Sequence, residues 1–524
     1  MTLFEFNKEK KKELVELVSR RIFDSYSLKN EPDLDQTLEE MIYWEKKRSK
    51  KYKYWDQYKE QYLQSSLETK KELLKGSIDH YSHQIVGNFN PTIYHLSAKL
   101  IPPFLNLLLD ALSLKRLWHF RASIVNENIM MTGNLPFIRS LATRGTLVFV
   151  PTHLSNLDSI LMGTALYYAD LPPVMYGAGL NLFKNKIIGF FMNNLGAYKV
   201  DRLRIHQLYK DVLKEYAASS IQLGFHNLFF PGGTRSRSGS VEKKLKLGLL
   251  GTSLKAYIRN LEESKLTPNI YIIPVNLNAH LTLEAETLIG DFLAATGQSR
   301  YIIENDEFSK LGRLYSYFKN LMHLNSKTFV HFGDPLDPFG NKVNSDGKSI
   351  DYHGRVIDIS RYVKREGVIV HDDDRDQNYT KELAKMLMDV FHCNNRVLST
   401  NLVAFTLYEM IANRYPDFDI YKLLRTYTYH KAIPLKDVYE KLERVRQFLE
   451  QLSDQGRIIY AHYLKKLDAQ DIVNEALKIF ASYHQRRTVY RVGDELWVGD
   501  LLLLYYYHNR LVGYNLEDML KGTL

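Results

Sequence analysis

Between Gly145 and about Leu336, short apolar runs alternate with longer stretches whose apolar residues recur at helical spacing. The runs at 147–150, 174–176, 197–200, 227–230, 271–277 and 328–332 predict strands. The stretches at 159–168, 183–194, 206–218 and 247–261 predict the helices between them. Short strands separated by helices of about ten to fifteen residues predict an α/β fold: a mixed, largely parallel sheet flanked by helices. Ligands of such sheets gather at the carboxyl ends of the strands.

On either side of this block the pattern is helical. Within 9–23, Leu14, Leu17, Val18 and Ile22 fall on one face between charges. The charged and aromatic stretch 39–62 holds neither glycine nor proline and predicts one further helix. Residues 98–124 open on Ile101-Pro102-Pro103 and carry leucines up to Trp118, Phe120 and Arg121. They read as a helix packed on the core, with an in-plane membrane helix as the alternative, Lys115, Arg116 and Trp118 then lying at headgroup level. After Gly340, helices are expected at 381–392, 401–413, 417–426 and 436–452. In the last, Val438, Leu442, Val445, Leu449 and Leu452 alternate spacings of four and three, the mark of an amphipathic packing face. The pattern divides the chain into a helical N-terminal region (1–95), an α/β domain (96–345) and a helical C-terminal region (346–524).

Composition narrows the class. With 45% hydrophobic and 25% charged residues among 524, the chain is expected to fold, and its length calls for two or three domains. No apolar run approaches the ~20 residues of a membrane span. Lys8 to Lys12 follow the apolar start at once, the wrong order for a signal peptide. Cys393 is the only cysteine, which excludes an internal disulfide and a thiolate metal cluster and suggests a reducing, cytosolic setting. A net charge of +10 favours anionic partners. The basic run Lys46-Lys47-Arg48-Ser49-Lys50-Lys51-Tyr52-Lys53 reads as a solvated helix face, with a peripheral-membrane patch as the alternative. The 36 tyrosines come without a nucleic-acid-binding signature, so no nucleic acid is expected as a partner. His80 and His83 read as surface or capping residues, 371–376 as a hydrated acidic turn, and no metal is expected.

Two stretches carry chemistry. His153-Leu154-Ser155-Asn156-Leu157-Asp158 follows the first strand of the block. With His153 in the strand-to-helix turn and Ser155 or Asn156 capping the helix, Asp158 in its first turn can fold back. It can then accept a hydrogen bond from the Nδ1–H of His153 and free Nε2 as a base. No G-x-S-x-G accompanies it, so the nucleophile would be a hydroxyl of the substrate. The second stretch, Phe230-Pro231-Gly232-Gly233-Thr234-Arg235-Ser236-Arg237, sets two arginines beside paired glycines at a strand end. Glycines admit backbone N–H groups to an anion, and guanidinium forks match phosphate. The spacing is not that of a P-loop. Lys244, Lys246 and Arg202 extend the positive lining.

The ordered set of H-x₄-D, Gly196 to Arg202, F-P-x-G-T-R-S-R and Ile272-Ile273-Pro274-Val275 resembles the glycerolipid acyltransferase superfamily. Leu171-Pro172-Pro173, Gly177 to Leu182 and the tail Tyr505-Tyr506-Tyr507-His508-Asn509-Arg510 are similar to its glycerol-3-phosphate and dihydroxyacetone-phosphate branch. The resemblance covers roughly 140–335, is weaker towards the C-terminus, and is absent before residue 90. It implies the fold of that superfamily and transfer of a fatty acyl group from acyl-CoA or acyl carrier protein to the sn-1 hydroxyl of glycerol 3-phosphate, the first step of phospholipid synthesis. Dihydroxyacetone phosphate or a lysophospholipid as acceptor, or a catalytically weak lipid-binding or scaffold homologue, are the alternatives. It implies His153 as base held by Asp158, an acceptor site of Arg202, Gly233, Thr234, Arg235, Ser236, Arg237 and Lys246, and Pro274 shaping the acyl side. It further implies no metal or other cofactor beyond the thioester co-substrate, and a peripheral or monotopic place on the phospholipid surface at the cytoplasmic face of the cell membrane. Two positions depart from the pattern. Gly232 stands where F-P-E-G has glutamate, with Glu242 one candidate replacement, and Lys199 stands where phenylalanine is usual.

Overall fold

Strand β2 (Thr146–Pro151) is buried along its whole length, and its side chains alternate between two cores. Leu147 and Phe149 face one core; Val148 and Val150 face the other. Strand β6 (Ile270–Ala279) repeats this, with Tyr271, Ile273 and Val275 on the first face and Ile270 and Ile272 on the second. A strand covered on both faces reads as a continuous apolar run, which is why these two were plain in the sequence. The computed structural model describes residues 2–48, 59–60, 65–99, 129–184, 186–296, 328–426, 432–482, 484 and 486–520.

The main sheet has seven strands in the order β1-β7-β6-β2-β5-β3-β4. Its other members are β1 (Ile129–Thr132), β3 (Met175–Gly179), β4 (Ala197–Val200), β5 (Asn227–Leu228) and β7 (Thr328–Phe332). Every neighbouring pair is parallel except β6 with β7. The mixed, largely parallel sheet is therefore as expected, with β1 added at one edge.

Helices cover both faces. Helix α5 (Asp158–Tyr168) lays Leu161, Met162, Ala165 and Leu166 on the first core. Helix α8 (Leu247–Glu262) lays Leu250, Leu254, Tyr257 and Ile258 on the second. Between them in sequence are α6 (Lys186–Asn194) and α7 (Gln207–Gln222); α4 (Leu135–Ala142) precedes β2. The N-terminal helices α1 (Lys8–Ser27), α2 (Glu31–Arg48) and α3 (Leu67–Ile85) pack on α7 beside the β4 edge. There Leu14, Val18, Leu74 and Ile78 share a core with Tyr198, Leu208, Val212 and Tyr216. The helix expected over 39–62 starts earlier, at Glu31, and 49–58 and 61–64 lie outside the described residues, as do most of the basic run 46–53 and the apolar segment 100–128.

Helix α9 (Ala285–Thr296) lies between β6 and β7, and beyond β7 the chain adds α10 (Asp373–Cys393), α11 (Ser399–Ala412), α12 (Ile420–Thr426), α13 (Leu435–Asp454), α14 (Ala469–Phe480) and α15 (Leu501–His508). The stripe Val438, Leu442, Val445, Leu449 and Leu452 is buried, in the same core as Leu147 and Phe149. The acidic stretch 371–376 is not a hydrated turn. Asp372 caps α10 by accepting from the Arg375 N–H at 2.9 Å, and Asp373, Asp374 and Asp376 lie in its first turn. Carboxylates there complement the helix dipole, a reading open to the sequence and overlooked. Short strands also appear among the C-terminal helices, Val489–Val492 pairing with Glu495–Val498. Among the described residues, no helix is long and apolar enough to cross a membrane. His80 and His83 make bonds within α3, to Gln84 and to the Asp79 carbonyl.

Candidate active site

The turn that carries His153 is fastened where β2 ends. The Thr152 N–H donates to the Val275 carbonyl at 2.9 Å, and its Oγ1 accepts the Leu277 N–H at 2.9 Å, so the strand end is clipped to β6. Six residues on from Thr152 the chain enters α5 with Asp158. One oxygen of that buried carboxylate, Oδ2, accepts from the Leu154 N–H at 2.6 Å, the Ser155 N–H at 2.8 Å and His153 Nδ1 at 2.9 Å. Asp158 thus folds back from the first helical turn as expected. The cap differs: neither Ser155 nor Asn156 is the N-cap, which is Leu157 without a side-chain bond, and the carboxylate itself gathers the open N–H groups.

With Nδ1 bound to a carboxylate, His153 carries its proton there and leaves the Nε2 lone pair exposed. The ring stacks on Phe230, centroids 4.1 Å apart and planes 23° apart, which fixes its plane. Among the described residues none hydrogen-bonds Nε2, and 12% of the side chain stays open to solvent. This is the geometry of a general base for a proton brought by a ligand.

The glycine-arginine loop is tied to this turn through main chain. The Ser236 N–H donates to the His153 carbonyl at 2.7 Å, and the His153 N–H donates to Glu242 Oε1 at 2.7 Å. Ser236 Oγ donates to the Ser240 carbonyl, so its hydroxyl shapes the loop. Gly233 has φ +74°, a left-handed turn that side chains resist, and a Cβ there would meet the Lys246 Cγ at 2.9 Å. The Lys246 N–H donates to the Pro231 carbonyl at 2.7 Å, laying the lysine stem across the glycine. Thr234, Arg237 and Lys246 are exposed. Arg235 is half-buried and its Nη1 lies 3.3 Å from Glu284 Oε1.

Two of the expected residues stand apart. Arg202 is exposed just past β4; with β5 and β3 lying between β4 and β2, it sits about 14 Å along the same rim at ordinary strand spacing. Its neighbours Asp201 and Arg204 are held by α2, through Arg48 at 2.8 Å from Asp201 and Glu45 at 2.7 Å from Arg204. Pro274 lies inside the sheet opposite Val150, below the site. Its ring is tolerated there because the β7 ladder stops at the Val275–Phe332 pair, and Gly333 donates instead to the Pro274 carbonyl.

Sequence reading missed Glu284, the hub of the site. Buried in the turn before α9, it accepts from Ser155 Oγ at 2.9 Å, from the Asn156 N–H at 3.0 Å and from Arg235. It joins the histidine turn to the arginine loop. Nothing in Leu281-Thr282-Leu283-Glu284 signals this. Arg510 and Asn509 were noticed only by resemblance and now have positions. Asn509 donates to the Ser238 carbonyl at 2.9 Å, and the buried Arg510 donates to the Leu277 carbonyl at 3.1 Å and to Asn395 Oδ1 at 2.8 Å. The tail backs both the loop and β6.

Comparison with known proteins agrees with this geometry. Residues 134–278, which hold His153, Asp158, Arg202, the arginine loop and Pro274, match the family model described as Acyltransferase. The chain is similar to the protein named glycerol-3-phosphate acyltransferase of Pseudomonas paraeruginosa (strain DSM 24068 / PA7), 26% identical over 362 residues, 66% of this chain and 39% of that protein. The match and the name these relatives share support the glycerolipid acyltransferase superfamily for this chain. Proteins of the same name from Ectopseudomonas mendocina (25% identical over 257 residues, 49% of this chain and 27% of that one) and Pseudomonas syringae pv. tomato (29% over 200 residues, 38% and 22%) are also similar. The match thus spans well under half the length of these acyltransferases. Glu284 and Arg510 lie outside the 134–278 acyltransferase match, although both support residues inside it.

Proposed function

We propose that the chain transfers a fatty acyl group from acyl-CoA or acyl carrier protein to the sn-1 hydroxyl of glycerol 3-phosphate. The observation that carries this is the Asp158-held His153, with Nε2 open, hydrogen-bonded through its own peptide to the loop that bears Arg235. Nε2 takes the hydroxyl proton as the oxygen attacks the thioester carbonyl. The tetrahedral adduct collapses with loss of the thiolate, which takes the proton back from the imidazolium, leaving a 1-acyl ester and a free thiol. General-base help of this kind contributes ~10²–10⁴-fold. Arg235 and Arg237, with Lys246 beside Gly233, receive the phosphate, and Arg202 further along the rim adds positive potential. The thioester is a co-substrate, and the steps call on no cofactor. The name shared by the similar proteins supports glycerol 3-phosphate as acceptor.

The same reading places the protein peripherally or monotopically on the cytoplasmic face of the cell membrane, where its acyl products partition. A net charge of +10, the exposed Phe190, and the exposed Leu203 and Ile205 that follow Arg202 in sequence support this. Purified protein is tested for thiol release from acyl-CoA and acyl carrier protein with glycerol 3-phosphate, dihydroxyacetone phosphate and lysophosphatidate in turn. Glycerol 3-phosphate is expected to support the fastest turnover, and His153→Ala to abolish it. A faster rate with another acceptor reassigns the substrate. Unchanged turnover in His153→Ala refutes the base, and vesicle binding without turnover on any acceptor favours a scaffold.

A further inference from the structure

Glu242 belongs to none of the sequence motifs, yet its side chain reaches the base-bearing turn. Its Oε1 accepts the His153 N–H at 2.7 Å. Its Oε2 is buried and, among the described residues, has no hydrogen-bond partner. Burial pushes the carboxyl pKa upward, countered in part by the guanidinium of Arg510 and the His153 N–H bond. The accepting oxygen is therefore retained whether the group is charged or neutral. Opposite it lies Gly232. This glycine is not in the left-handed region, so the backbone does not require it. A Cβ at 232 would lie 3.4 Å from the Thr234 carbonyl oxygen and 3.5 Å from Glu242 Cγ, ordinary contact distances. The stem of Glu242 thus passes beside Gly232, at contact distance from where a Cβ would stand.

We propose that Glu242 is a positioning residue for the transfer reaction, holding the His153 peptide against the arginine loop, and that a carboxyl side chain carried from position 232 would compete for the volume Glu242 fills. This rests on the function proposed above. Both sides of the His153 backbone are anchored to one segment: its carbonyl by the Ser236 N–H and its N–H by Glu242. Asp158 then fixes the ring. Removing the Glu242 oxygen leaves a buried N–H unpaired and lets the turn move relative to the loop, and displacement on the scale of an ångström lowers rate by about 10²-fold.

Four variants and one spectroscopic readout test this. Glu242→Ala is expected to lower kcat by roughly 10–100-fold with both KM values within about threefold. Glu242→Gln keeps a carbonyl oxygen as acceptor and is expected to keep kcat within about threefold of the parent. Gly232→Glu puts two carboxyl groups in one volume and is expected to lose activity, whereas Gly232→Glu with Glu242→Ala is expected to recover at least about tenfold over Glu242→Ala. With histidine-selective ¹⁵N labelling, the His153 amide proton should move upfield in Glu242→Ala and stay in place in Glu242→Gln. That signal is independent of turnover, so it reports the contact even if no acceptor is acylated and the functional reading fails. Wild-type kcat in Glu242→Ala, or Glu242→Gln as inactive as Glu242→Ala, overturns the positioning role. A double variant no better than Glu242→Ala overturns the shared volume.

Discussion

Asp158→Asn is the sharpest perturbation of the site, because it preserves shape and removes charge. In the structure, Oδ2 serves three donors: the Leu154 and Ser155 N–H groups at 2.6 and 2.8 Å and His153 Nδ1 at 2.9 Å. Hydrogen bonds to a charged acceptor contribute about 1.5–3 kcal/mol each, against about 1 for neutral ones. An amide oxygen can keep the two backbone donors, so the turn survives at a cost of about 1–2 kcal/mol. The base does not fare as well. As Nε2 takes the hydroxyl proton, the imidazolium loses a carboxylate partner whose attraction, at an effective dielectric near 20 and about 4 Å between charge centres, is about 4 kcal/mol. That corresponds to a fall in kcat of roughly 10²–10⁴-fold. The KM for the phosphorylated acceptor should hold within about threefold, since the hydrogen bonds of the Asp158 carboxylate run to His153, Leu154 and Ser155 and not to the arginine loop. Thiol release from acyl-CoA at varied glycerol 3-phosphate, alongside urea denaturation, separates these effects. An Asp158→Asn variant within tenfold of wild-type kcat, or one whose loss lies wholly in acceptor KM, refutes the dyad.

Other expectations follow from the same geometry. Arg235→Ala should raise acceptor KM by roughly 10–100-fold while the thioester KM holds, the value of one charge-assisted phosphate contact; an unaltered acceptor dependence would remove phosphate from its role. Gly233→Ala combines a left-handed φ of +74° with a Cβ 2.9 Å from Lys246 Cγ, so urea denaturation should show a loss of about 1–3 kcal/mol, and an unchanged midpoint would contradict the turn. Stability should also fall in acid. Burial depresses His226, His331 and His484 to about 4, and His226 accepts the Leu147 N–H on Nδ1 in its neutral form. The unfolded chain binds protons at these sites below about 6.5 while the folded chain does not. Their contribution is therefore full above about 6.5, lost as pH falls towards 4, and constant below that, with a slope of at most about 4 kcal/mol per pH unit. A urea midpoint that does not drop between pH 7 and pH 5 would show that these rings titrate normally.

The local grammar of the site was legible from residues alone. Buried strands announce themselves as apolar runs, and a histidine five positions before a first-turn aspartate allows the carboxylate to fold back on the ring. Gly233 and the arginines mark a candidate anion-binding loop by their chemistry, and the order of these motifs carries the resemblance to acyltransferases. Two readings failed for local reasons: capping by Ser155 or Asn156 yielded to the carboxylate of Asp158, and the acidic stretch before α10 was helix-starting chemistry read as a turn. What sequence spacing does not encode is which distant segments meet. Glu284 reaches Ser155 across 129 positions, Glu242 reaches His153 across 89, and Arg510 reaches the Leu277 carbonyl across 233. Each is a single polar residue with no periodic company, so nothing around it marks it as part of the site. Strand order decided these meetings. By setting β6 beside β2 and β5 on its other side, the sheet brings the histidine turn, the arginine loop and the turn before α9 to one rim. Sequence alone determined which groups could do the chemistry; tertiary structure decided which side chains hold them in place, because burial leaves a carboxylate or guanidinium no water and obliges it to find a partner wherever the fold provides one.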